Sequence, residues 1–152
     1  MKRKIYSLFT LTLAIACCIC CAVCFTACNT GDEENNGEAK TVARIVESTQ
    51  ERVVILVEEA DGEATLFNVM EELSKDDFTY ELSGTMVSKI NGTENAADFS
   101  ACWMLYTSDS EMGNSEWGTY DFQNVTCLSA IVGGDALTVS AGAYYIWVYT
   151  TF

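Results

Sequence analysis

The side chains of this 152-residue chain that could do chemistry are 22 carboxylates, three tryptophans, seven tyrosines and eight cysteines; there is no histidine. The missing imidazole removes the commonest general base and the commonest metal ligand. Ser-His, Cys-His and the usual zinc-dependent hydrolyses are excluded with it. Carboxylate pairs remain, and Asp76-Asp77 is one. Acid–base work needs burial to move a carboxyl pKa, and adjacent acids between a helix and a strand read as a solvated boundary. The run from Asp109 to Glu116 sets oxygen ligands at alternate positions, as a calcium loop does. Gly113 falls where an EF-hand needs a ligand. Gly133-Gly134 lacks the rest of a phosphate loop. No catalytic residue and no metal site is expected, and the chain reads as a non-enzyme.

The aromatic residues are the better signal. Trp103, Trp117, Tyr120 and Trp147 are the candidate ligand contacts. On the last expected strand Tyr145, Trp147 and Tyr149 share one face, and Tyr144, Ile146 and Val148 share the other. The aromatic stripe is either an exposed platform for a flat ligand, a sugar or a protein, or core. Large aromatic side chains bury most of their area, which favours core and leaves Trp117 and Tyr120 as the stronger contact candidates. Cys102 and Cys127 fit the apolar pattern equally well as one disulfide in an oxidising compartment or as two buried thiols.

These residues are carried by a chain in three parts. Lys2, Arg3 and Lys4 precede a charge-free run over residues 5–27 that closes on Phe25-Thr26-Ala27-Cys28. This is the plan of a secretory signal, and it resembles a bacterial lipoprotein leader over 1–27, with Cys28 as the acylated residue. Phe25 stands where leucine is commonest. The run is also long enough to span a bilayer uncleaved, which takes roughly 20 residues. Either way the basic N-terminus stays inside, so the domain is expected at the cell membrane on the extracytoplasmic side. Residues 28–40 contain no large apolar side chain and read as a flexible acidic linker with a reach of about 20 Å. Without residues 1–27 the net charge is −17, because three of the eight basic residues leave and none of the 22 acids do. So acidic a domain repels nucleic acid.

Residues 41–152 are long enough to bury one core. Residues 41–46 and 52–57 are rich in Val and Ile and predict a hairpin whose second strand, apolar on both faces, is central. Leu66, Val69, Met70 and Leu73 mark one helical face behind an N-cap at Thr65, with Asp61 and Glu63 near the positive end of the dipole. Phe78, Tyr80 and Leu82 alternate as a half-buried strand, residues 86–90 continue to the turn Asn91-Gly92, and residues 101–106 form another strand. Residues 108–118 read as a long acidic loop. Residues 120–122 and 127–132 read as short strands, and 137–139 with 144–150 as a final hairpin. One helix on a sheet of this order is an α+β arrangement, and the specific expectation is a β-grasp-like mixed sheet with the helix packed on one face.

The segments Val87-Ser88-Lys89-Ile90-Asn91-Gly92, Trp103-Met104-Leu105-Tyr106 and Ile146-Trp147-Val148-Tyr149, with Gly134-Asp135 before the last, occur in a familiar order. Over 41–152 the chain resembles an uncharacterised bacterial domain family similar to the C-terminal domain of transcobalamin and intrinsic factor. Thr107-Ser108-Asp109-Ser110 replaces the usual Asn-Gly after the tryptophan strand. The resemblance implies a β-grasp sheet at a cell surface and a corrinoid as ligand, held on one open face or with a partner protein. The expected function is a lipid-anchored, non-catalytic binding module for a small molecule such as a corrinoid. The alternative is a cell-surface protein-interaction or adhesion domain with no small ligand.

Overall fold

The computed structural model describes residues 40–75 and 77–152. The leader, Cys28, the linker up to residue 39, and Asp76 lie outside the described residues. Among those described, no helix is long and apolar enough to cross a membrane.

Strands β1 (Val42–Ser48) and β2 (Arg52–Glu59) form the expected antiparallel hairpin. Thr49 closes its turn, its Oγ1 accepting from the Arg52 amide at 2.9 Å. Val53, Val54, Ile55 and Val57 are fully buried, because β2 is paired on both edges and covered on both faces. Helix α1 (Leu66–Leu73) begins at Thr65 in a capping box, where the Thr65 side chain and the Asn68 side chain each serve the other's backbone amide. Leu66, Val69 and Met70 are its buried face. Asp61 serves the preceding turn instead of the helix, accepting from the amides of Glu63 and Ala64 at 2.8 Å each. Those bonds hold its carboxyl below the usual range.

Strands β3 (Tyr80–Ser83), β4 (Met86–Ile90) and β5 (Thr93–Glu94) form a separate three-stranded sheet. Leu82 does not join the buried face with Phe78 and Tyr80. A bulge between Glu81 and Leu82 shifts the register and turns Leu82 outward.

The large sheet runs β1, β2, β9 (Tyr144–Thr151), β6 (Ala101–Thr107), β8 (Val125–Ala130), β7 (Gly113–Phe122). The expectation of a mixed sheet is corrected here: every pairing is antiparallel. Strands β2 and β6 do run the same way, but β9 inserts between them and opposes both. The architecture is α+β, mostly strand, with one short helix.

Two further expectations change. The acidic loop is mostly strand: β7 starts at Gly113, which pairs with Ala130 and lies so close to Leu128 that a side chain there would collide with it. The hairpin β7–β8 turns at Gln123-Asn124, both at positive φ, 47° and 67°, which is the type I′ pattern. Residues 137–139 do not pair with β9. They dock on the start of α1, Leu137 O accepting from the Leu66 amide at 2.8 Å and the Val139 amide donating to Ala64 O at 3.0 Å.

The main core lies between one face of the large sheet, α1 and the small sheet. A second core sits on the opposite face, with Val54, Phe122, Cys127 and Ile146 at its centre. It exists because the sheet curls. Strand β8 pairs with β6 over only Tyr106–Ser129 and Thr107–Leu128, and the free end of the β7–β8 hairpin folds back over β9 and β2.

Candidate functional site

The curl brings side chains together that a flat sheet would separate. Strands β2 and β7 are four intervals apart in the order, about 19 Å at the usual spacing. Even so, Arg52 Nη1 donates to the Tyr120 hydroxyl at 2.6 Å. The same guanidinium donates from Nε to Glu47 Oε1 at 2.9 Å and from Nη2 to the same oxygen at 2.5 Å, and it stands 5.9 Å from the centre of the Phe122 ring. The bonds to Glu47 and Tyr120 raise the Arg52 pKa above its ordinary value. Tyr120 packs on Tyr106 at 5.5 Å, and Phe122 meets Tyr144 edge-on at 5.5 Å.

Between this cluster and the β1–β2 turn lies a groove of about 530 Å³, lined by Glu47, Thr49, Gln50, Glu51, Arg52, Tyr120, Val148 and Tyr149. That volume falls within the roughly 300–1,000 Å³ of small-molecule sites. Tyr149 is held from both ends: its amide donates to Glu51 O and its hydroxyl to Glu94 O, each at 2.9 Å.

Of the candidate contacts, only Tyr120 lines this groove. Trp103 and Trp147 are buried in the main core, 6% and 5% exposed, and the stripe of Tyr145, Trp147 and Tyr149 packs into that core. Trp103 Nε1 donates to Thr93 O at 2.9 Å, whereas the Trp147 indole N–H has no partner among the described residues. Trp117 is 61% exposed on β7 and stands apart from the groove. The four therefore do not form one site. Cys102 and Cys127 are both free thiols. Cys127 is buried in the second core, and Cys102 is half-buried near the start of β6. Burial raises both thiol pKa values, and Asp121 adds to the rise at Cys127.

The calcium-like run loses its geometry as β7 takes Gly113 onward. Asp109 instead accepts from the Glu111 amide at 2.9 Å and from Ser140 Oγ at 2.5 Å. Among the described residues no cluster of three or more acidic or cysteine side chains could hold a metal ion.

Arg52 and Glu47 were not candidates from the sequence. The available signal was a basic residue opening an otherwise apolar strand with an acid just across the turn, a pattern shared by many surface ion pairs. Comparison with known proteins gave no match to any family model, to any curated protein or to any solved structure.

Proposed function

We propose that this chain is a non-catalytic, extracytoplasmic binding module, lipid-anchored through Cys28, that takes a small molecule in the groove beside Arg52 and Tyr120. The observation that carries the reading is the arrangement at that groove. A guanidinium, a carboxylate and a tyrosyl hydroxyl are locked together at solvent before any ligand arrives, which reduces the ordering cost of binding. The β-grasp relationship is part of the proposal. Its support is the order hairpin, helix, then a last strand inserted beside the hairpin. The antiparallel β2–β9 pairing is a departure from the mixed sheet expected for it.

The resemblance to the transcobalamin C-terminal domain makes a corrinoid the first ligand to test. Titration of the protein with cyanocobalamin and dicyanocobinamide, followed by tryptophan quenching and by calorimetry, is expected to saturate. Absence of heat and of quenching at high micromolar ligand removes the corrinoid. For the anchor, cells fed a radiolabelled fatty acid are expected to label the wild-type chain and not Cys28→Ala; equal labelling removes lipidation. The second reading, a surface protein-interaction domain, is favoured by Trp117, a large aromatic side chain held 61% exposed on the edge strand β7.

A further inference from the structure

The hydrogen-bonding capacity left over at Arg52 and Glu47 identifies a ligand class. A guanidinium carries five N–H donors. Three are engaged, two by Glu47 Oε1 and one by the Tyr120 hydroxyl, which leaves two. Glu47 Oε2 has no partner among the described residues. Tyr120 accepts from Arg52 and keeps its own proton to donate. Donor and acceptor positions therefore stand side by side on one rigid unit, with the Arg52 and Glu47 side chains only 34% and 29% exposed. The Gln50 amide adds one more of each on the same groove wall.

Charge decides which ligand fits. An anion meets Glu47 and Glu51 beside a guanidinium already paired, and a cation meets Arg52. A neutral ligand meets neither repulsion. Vicinal hydroxyls donate and accept from adjacent atoms, which matches a carboxylate–guanidinium pair. The Tyr120 ring and the Val148 side chain supply apolar surface in the same groove for the C–H faces of a sugar.

We infer that the groove between the β1–β2 turn and Tyr120 binds a neutral saccharide, with Glu47, Arg52 and the Tyr120 hydroxyl holding its hydroxyl groups. The inference rests on the binding-module reading and takes its ligand class from the groove instead of from the resemblance.

The test is calorimetry on the full chain in a detergent without a sugar headgroup, using maltohexaose, cellohexaose, mannohexaose and N-acetylchitohexaose as probes and hexagalacturonate as the anionic control. At least one neutral hexasaccharide is expected to saturate, with hexagalacturonate weaker by about tenfold or more. Tyr120→Ala is expected to weaken binding about tenfold or more. Tyr120→Phe, which keeps the ring and the fold, is expected to weaken it about threefold or more. Met86→Ser on the separate small sheet leaves binding unchanged. No saturation by any saccharide up to ~10 mM, where affinity is negligible, overturns the inference, as does binding indifferent to Tyr120→Ala. If dicyanocobinamide saturates and no saccharide does, the saccharide is overturned and the binding-module reading stands. If neither saturates, both fall.

Discussion

Arg52 at the start of β2 and Tyr120 near the end of β7 are joined by a 2.6 Å hydrogen bond across 68 residues of sequence. This bond clasps the curled β7–β8 hairpin over the second core. Its partners are only partly exposed, so its contribution is not the near-zero of a surface pair. In a double-mutant cycle, Tyr120→Phe and Arg52→Met are expected to show a coupling of about 0.5–1.5 kcal/mol in urea unfolding. Strict additivity would mean that the clasp contributes nothing.

The two buried tryptophans make a matched experiment. Each loses the same ring volume on mutation to Phe, but only Trp103 also loses a hydrogen bond, to Thr93 O. Trp147→Phe removes an indole N–H that has no partner among the described residues, and so relieves a desolvation penalty. Trp103→Phe is therefore expected to be the more destabilising of the pair, by about 1–3 kcal/mol. Equal midpoints in denaturant would show that the Trp147 N–H is satisfied in solution.

Gly134 faces Phe67 so closely that a methyl group there would overlap the ring, while its carbonyl accepts from the Phe67 amide at 3.0 Å. The backbone bond holds the two segments in place, so the ring has to move. Gly134→Ala is expected to cost about 1–3 kcal/mol, and clearly less in a Phe67→Leu background. The same loss in both backgrounds would point to backbone strain in place of the collision.

Stability is expected to fall on the alkaline side. Burial is the main cause that raises the Tyr145 hydroxyl above its ordinary value of 10.0, and the bond from the Ser140 amide opposes this only in part. The unfolded chain then ionises first. The contribution of Tyr145 is fully present below pH 10 and is lost as pH rises through the folded-state pKa. Cys127 has the same sign from its ordinary value of 9.0, because burial and Asp121 both raise it. Thermal midpoints measured from pH 8 upward are expected to decline first in the thiol range and then in the phenol range, as the two ordinary values imply. Tyr145→Phe should flatten the second decline; an unchanged profile would rule that tyrosine out as its source.

The elements with strong periodicity were legible from residue order. The β1–β2 hairpin, the burial of β2 on both faces, and α1 behind Thr65 all follow from spacing, because each pattern is local and each partner lies within a few residues. Strand β7 was legible only in its last three residues, 120–122. The rest of its exposed residues carry no alternation, and its pairing with β8 is interrupted by an irregularity between Asn114 and Thr119 that no local pattern encodes. Leu82 fits the alternation and still faces solvent, because the register shifts between Glu81 and Leu82.

For the site, composition determined the chemistry. With no histidine and 22 acids, catalysis by the common triads was excluded before any folding. Aromatic residues were the expected contact class, and of the four candidates Tyr120 is the one that lines the groove. Which aromatic residues remain accessible was decided by tertiary structure alone. Trp103 and Trp147 fell inside because α1 and the small sheet cover that face, and Tyr120 reached Arg52 because β8 leaves β6 after two pairs and lets the hairpin curl. Strand order and curvature are collective properties of distant pairings, so residue types bound what this protein can do while only the closed fold decides which of them meet.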